Sequence, residues 1–580
     1  MQVSYKFFFI AATLILGVAA CGEKPVPDDT PTGIGSQSVA ELVESNIAGT
    51  AIAANSTVAG QIRNAATGIG IQGVPVSDGY NFTTTDENGV YQMVRNQNAR
   101  SIYYTTPSEY KVSLEAKQYT PSFYSEGTLS AGKKYRIDFE LEPLDKVEDK
   151  FTLIMIGDPQ CGSVTEANRY VKETVADIKA FAGQASRFPN PYAVTLGDIT
   201  FDSKNMFSIM KATMAKCAVS GGYIPFFQCI GNHDHDSTQP DTSDNEVDDY
   251  VATSTYESFF GPTDYSFNRG KAHIVVMDDI IVSSTASSSK PNGKTWNYSG
   301  GITDEQLEWL RQDLNLVEDK ADKLIILCMH IPIRSTTSGN FSNIKSLLKQ
   351  FGEAHIMIGH THYPQNYIHT ADKAVNGQPI YEHIHQAACG AWWSCNSSVT
   401  GAPNGYNVYT VEGNRITDWV NKGTNREEDY QMRVYDGNQM YSGSKGYTYY
   451  WYKTDNTYQG IKAVGNASLQ NAFVAEVWDD DDSNWQVEMW QNGTKLGNFT
   501  RLANGKSCNI AITAYYFNEL GKKTDTWVNK TASHYWYFVP SSKNPSAEKD
   551  WEVRAIQRIP SSGKEKTYSV NRLTTDYSEF

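Results

Sequence analysis

Five times between residues 151 and 362, an apolar run stops at a polar residue able to bind metal, and this repetition constrains the fold of the 580-residue chain most. Phe151–Ile156 runs into Gly157-Asp158-Pro159-Gln160, and Ala193–Leu196 into Gly197-Asp198. Ile224–Ile230 runs into Gly231-Asn232-His233-Asp234, Leu324–Met329 into His330, and His355–Ile358 into Gly359-His360-Thr361-His362. Continuous apolar runs of this length suit strands covered on both faces. Helical patterns lie between them. Val171, Val175, Ile178 and Phe181 share one helical face. Thr303-Asp304-Glu305-Gln306 reads as a capping box opening a helix on which Leu307, Leu310 and Leu314 align. Strands alternating with helices predict an α/β layered domain with its active site outside the strand ends, where the polar residues stand.

Besides Asp234, those ends supply two aspartates, one asparagine, one glutamine and four histidines. Carboxylate and amide oxygens mixed with imidazoles suit Mn, Fe, Zn or Mg better than a thiolate-rich structural zinc site does. Two divalent ions sharing one carboxylate would use this inventory without borrowing. Such a pair is the standard device for in-line attack on phosphorus. The charge balance agrees. Fifty basic against 65 acidic residues leave a net −15, which argues against a nucleic-acid or anionic-membrane surface. A small anionic substrate remains compatible, because bound cations reverse the local field. Gly293-Lys294-Thr295 and Gly505-Lys506-Ser507 echo a phosphate-binding loop but lack its leading glycine, and neither H-E-x-x-H nor G-x-S-x-G occurs.

The flanks read differently. Residues 51–147 alternate short strand-like pieces with turns and predict an N-terminal β-sandwich. Their Gly73-Val74-Pro75-Val76 and Thr85-Asp86-Glu87-Asn88-Gly89-Val90-Tyr91 stretches resemble the carboxypeptidase-regulatory type of β-domain. Residues 392–580 predict a C-terminal β-rich domain, leaving 148–391 for the α/β body. At the start, Lys6 precedes the apolar run Phe7–Ala20, too short to span a bilayer but suited to a secretory signal over residues 1–20. Val18-Ala19-Ala20-Cys21 resembles the lipobox of bacterial lipoproteins, with Cys21 as the lipidated residue and 21–50 as a tether. The expected location is the cell envelope, on the periplasmic or cell-surface side, with membrane association through the lipid anchor only. Cys389 and Cys395 are placed to bridge in an oxidising compartment, whereas Cys328 reads as a buried thiol.

The ordered set Asp158-x-Gln160, Gly197-Asp198, Gly231-Asn232-His233-Asp234, His330 and Gly359-His360-x-His362 resembles the calcineurin-like metallophosphoesterase superfamily over roughly residues 150–391. The flanking β-domains resemble those of a bacterial lipoprotein subgroup. The resemblance implies that Asp158, Gln160, Asp198 and His362 hold one divalent ion. Asp198 would bridge to a second, completed by Asn232, His330 and His360. It further implies a metal-bound hydroxide as nucleophile, His233 protonating the leaving oxygen, and Asp234 orienting His233. Two positions depart from the common pattern. Gln160 replaces a histidine, which predicts looser binding at the first ion and a tilt towards Mn or Mg. Phe201 stands where a second acid is usual, and Asp202, one residue later, is expected at most to support the site. His235 and Asp236 are candidates to face substrate, while His273, His369, His383 and His385 read as surface or supporting residues. Trp392 and Trp393 read as interdomain packing or, alternatively, as a pocket wall that stacks a substrate ring. The expected activity is hydrolysis of a phosphomonoester or phosphodiester of small-molecule, lipid or sugar type. The alternative is a cell-surface binding or scaffold lipoprotein with a degenerate metal site.

Overall fold

The computed structural model describes residues 37–580 except 116–119, 215–217, 220–221, 240–244, 287–293, 336–338, 443–447, 454–456, 459–460, 463, 504 and 523–526. The leader and Cys21 lie outside the described residues.

Two sheets form the centre. In the first, Lys150–Ile156 lies between Pro191–Leu196, parallel to it, and Gly405–Glu412, antiparallel. Phe226–Cys229 extends the parallel side, and Arg415–Gly423 closes the other edge. In the second, Ala272–Val276, Leu324–Cys328, Glu353–Ile358 and Pro379–Ile384 run parallel, edged by the antiparallel Tyr265–Arg269 and Tyr367–Lys373. Alternation along a strand decides what each sheet meets. Phe151, Leu153 and Met155 pack with Ile274, Val276 and Ile326 of the second sheet. Ile154 and Ile156 face the other way, onto Tyr170, Val175, Ile178 and Phe181. The predicted helix appears as Asp304–Asn315, opened by a complete Thr303/Gln306 capping box. It buries Leu307, Leu310 and Leu314 against the second sheet's cluster. The order is helices, sheet, sheet, helices, and all the parallel strands of both sheets end towards one rim.

The N-terminal body packs the sheet Gln37–Glu41, Tyr135–Leu141, Val58–Asn64, Val90–Met93 with the smaller sheet Phe82–Thr84, Pro75–Ser77, Tyr103–Tyr104. Its core merges with the central one, for Phe123 stacks within 4.7 Å of Tyr265. Gln37–Glu41 falls in the stretch expected to be tether. It is almost wholly exposed and held by pairing with Tyr135–Leu141, so it has no apolar pattern to betray it. In the C-terminal body, the sheets carrying Met432–Asp436 and Trp551–Arg558 face each other through Val434, Phe473, Val487, Met489 and Val553. Cys389 and Cys395 are buried free thiols and do not pair. Cys395 Sγ instead donates to the Ser397 carbonyl at 3.2 Å.

The central sheet therefore draws on residues beyond the expected boundary at 391. A polar, turn-rich stretch, 394–404, separates the last two strands from the rest and disguises them as part of the next domain. A chain ended at residue 391 leaves Lys150–Ile156 as an open sheet edge. It is expected to be recovered as aggregate while the full chain elutes as a defined species in size-exclusion chromatography.

Candidate metal centre

The loops leaving the parallel strands converge on one point because each turns sharply as soon as its strand ends. Asp158, Gln160, Asp198, His360 and His362 all have positive φ, between 40° and 67°. A non-glycine residue in the left-handed region costs roughly 1–2 kcal/mol, and such residues cluster where function over-determines geometry. The loops also approach one another closely at two glycines. A Cβ on Gly231 would sit 2.0 Å from the Asp198 nitrogen, and one on Gly197, whose φ is 83°, 2.4 Å from His330 Nδ1.

Two donor groups result, and Asp198 belongs to both. Asp198, His330 and His360 offer ligand atoms within 4.8 Å of one another, as do Asp158, Asp198 and His362. In the first group His330 Nδ1–H donates to the Leu196 carbonyl at 2.8 Å, which leaves Nε2 as the nitrogen that would ligate once it loses its proton. That Nε2 lies 3.1 Å from His360 Nδ1, 3.1 Å from Asn232 Oδ1 and 3.4 Å from Asp198 Oδ2. In the second group His362 Nε2 lies 3.6 Å from Asp158 Oδ1, and Gln160 Nε2 donates to Asp198 Oδ2 at 2.7 Å. Asp158 Oδ2, Gln160 Oε1 and His362 Nδ1 are buried with no hydrogen-bond partner. Leaving such atoms unsatisfied is costly, and divalent cations would satisfy them. The residues present fit that group. Half a turn of the Gln160 amide would present its oxygen to an ion.

The electrostatics fit as well. Burial works against the Asp198 charge, but His330, followed by His233 and His360, holds its carboxyl well below the usual range. Burial likewise disfavours a charged His330, yet Asp198 pulls it up to about 10. Burial raises Asp158 to about 8, with the Asp198 charge adding to it. His360 falls to about 3 and His362 to about 4, first through burial, with the His330 charge adding to the fall and the Asp198 carboxylate opposing it. Both are neutral at physiological pH, which is the ligating form.

His233 stands beside the donors. Its backbone N–H donates to Asp198 Oδ1 at 2.8 Å, and its Nδ1–H to Asp202 Oδ1 at 2.9 Å. Burial would lower its pKa, but Asp202 and Asp198 raise it above the ordinary value. The expectation that Asp234 orients His233 is corrected. Asp234 is buried and accepts the N–H groups of Ile199, Thr200 and Gly231 at 2.9–3.0 Å, clamping the Asp198 loop to the Asn232 turn. Asp202 takes the orienting place because a φ of 57° turns it back towards the ring, a bend that spacing alone does not reveal.

Other expectations shift too. His235 is buried between Gly231 O and Asp278, and Asp236 accepts from the Thr238 and Thr255 hydroxyls, so both serve the loop. His273, His369, His383 and His385 are all buried, so none is a surface residue. Trp392 lies 4.7 Å from His362 and 4.4 Å from Trp527 of the C-terminal body, so its ring touches both the centre and the neighbouring body. Trp393 Nε1–H donates at 3.0 Å to the carbonyl of Pro159, between two donors. Sequence reasoning passed over Asp279, whose carboxylate accepts the N–H groups of His330 and Ile331.

Three family models match the chain. The N terminal of calcineurin-like phosphoesterase covers residues 56–144, calcineurin-like phosphoesterase 151–364, and the C terminal of calcineurin-like phosphoesterase 382–561. The chain belongs to the calcineurin-like phosphoesterase family, with the core and both extension domains in order. Family and donor groups together support metal-dependent phosphoester hydrolysis. Among solved structures, a purple acid phosphatase, PPD1, from yellow lupin (Lupinus luteus) seeds is similar at 11% identity and a TM-score of 0.31, covering 60% of this chain and 68% of that one. No curated protein matches.

Ligands must be deprotonated to bind, so metal uptake by the stripped protein near pH 7 is expected to release protons, chiefly from Asp158 and His330. A pH indicator in weakly buffered solution reads this release, and apparent affinity should fall as pH is lowered. Asp198→Ala should abolish the release, and Gln160→His should tighten uptake at the weaker site in calorimetry.

Proposed function

We propose that the chain hydrolyses a small phosphomonoester or phosphodiester by in-line attack at a centre of two divalent cations. The observation that carries the reading is the pair of donor groups sharing Asp198, with His233 Nε2 left open beside them. Asp158, Gln160, Asp198 and His362 would hold one cation, and Asp198, Asn232, His330 and His360 the other. Bound there, the cations would acidify a water and neutralise charge developing on the phosphoryl oxygens. The mixed oxygen and imidazole donors suit Mn, Fe, Zn or Mg.

The chain's own residues do the rest. Leu196 O fixes the His330 tautomer, and Asp279 fixes the turn that carries it. Asp202 keeps the proton of His233 on Nδ1 and favours the charged imidazolium, so that Nε2–H points away from Asp202 as the donor. In the reaction that proton passes from Nε2 to the leaving oxygen as the P–O bond breaks. The buried, unpaired atoms of Asp158, Gln160 and His362 weigh against a scaffold that holds no metal. The leader pattern supports an enzyme anchored by lipid in the cell envelope.

The test is turnover of chromogenic phosphomonoester and phosphodiester substrates by protein stripped and reloaded with Mn, Zn, Mg or Fe. His233→Ala should lower kcat by on the order of 10²–10⁴. Asp202→Asn should lower kcat by a smaller factor with KM little changed, because it removes an orienting charge and leaves the cations in place. Two ions bound without turnover of either substrate would count against the reading.

A further inference from the structure

Phe201 has no task in the chemistry above. It lies in the loop between Asp198 and Asp202. The bend that brings Asp202 onto His233 Nδ1 also sets the Phe201 ring flat against the imidazole, with centroids 4.5 Å apart and planes 29° from parallel. The ring is nevertheless 42% exposed. Two more aromatics stand against histidines of the centre, Trp392 at 4.7 Å from His362 and Tyr298 edge-on at 6.4 Å from His360. Tyr298 is exposed as well. Lys204, the cation beside His233, is spent on the His233 carbonyl. Three aromatic side chains thus stand against histidines of the centre, and Lys204 beside them is engaged with the protein.

Geometry gives these rings a use. A proton donor must lie within hydrogen-bond reach of the leaving oxygen. With Nδ1 bound to Asp202, that donor is His233 Nε2, on the same imidazole that Phe201 stacks against, which puts an exposed aromatic ring next to the leaving-group side of the centre. Aromatic rings prefer offset stacking or edge contact with other flat groups. We infer that Phe201 is the platform for the leaving group, with Trp392 and Tyr298 completing its surround, and that the substrate is a phosphoester whose leaving alcohol carries a flat aromatic ring. This rests on the phosphoesterase reading above and names the substrate class of that same site.

The test uses benzyl, cyclohexylmethyl and methyl esters, each as phosphomonoester and as methyl phosphodiester, with the metal-loaded full chain. The three alcohols are of similar acidity, so differences in kcat/KM report contact with the leaving group rather than bond lability. The benzyl ester should exceed the methyl ester by roughly tenfold and should also exceed the cyclohexylmethyl ester, which is as apolar but not flat. Phe201→Ala should collapse the benzyl-to-methyl ratio towards one, and Phe201→Trp should preserve it. A ratio is unaffected by a general loss of activity in the variant. Equal ratios in wild type and Phe201→Ala, or a benzyl ester no better than the cyclohexylmethyl one, overturn the inference while leaving the phosphoesterase reading intact. No turnover in either series with any of the four metals overturns both.

Discussion

Everything at the rim of this protein is arranged around the Asp198 carboxylate. It is buried, and one of its oxygens accepts the His233 N–H while the other meets Gln160 and His330. A carboxylate taken fully out of water needs such compensation, because desolvation is expensive and only nearby opposite charge and hydrogen bonds offset it. The neighbours that supply it come from three separate strand ends. Holding Asp198 therefore fixes the distances among loops that are far apart in sequence. The two clamps behind it, Asp234 on the Asn232 turn and Asp279 on the His330 turn, extend the same logic by turning carboxylates into anchors for backbone N–H groups.

Much of this was legible in the sequence. The five apolar runs ending in Asp, Asn or His marked the strands and the rim, since a buried strand needs an unbroken apolar run and a turn at its end frees the next polar side chain. The Thr303 capping box and the leucine spacing behind it likewise carry their own geometry. What stayed hidden has physical reasons. The role of Asp202 depends on one left-handed residue, and nothing in its neighbours specifies that dihedral. Asp234 looked like a partner for His233 because it is adjacent in sequence, yet backbone N–H groups from another loop compete for the same oxygens. Strand Gln37–Glu41 is exposed and stabilised by edge pairing, so periodicity has nothing to detect. The pairing of 405–423 with 150–156 is a long-range event that no local pattern encodes.

The flanking bodies are more than attachments. Trp392 and Trp393, both with positive φ, form a joint between the centre and the C-terminal body. One ring spans from His362 to Trp527, and the other bonds the loop that carries Asp158 and Gln160. On the other side, Trp309 of the central helix donates to Ser77 of the N-terminal body at 3.2 Å, so both flanks are bonded to the central body.

The antiparallel pairing of Lys150–Ile156 with Gly405–Glu412 also sets a timetable. The two strands are roughly 250 residues apart, and closing so long a loop is slow compared with local folding. During synthesis the strand that leads to Asp158 can find Pro191–Leu196 early, but its other edge waits until nearly three quarters of the chain has emerged. Until then it is an apolar strand with unpaired backbone groups, the kind of surface on which nascent chains stick to one another. The centre thus matures late, and a holdase that shields this one edge through translation would protect it during that wait.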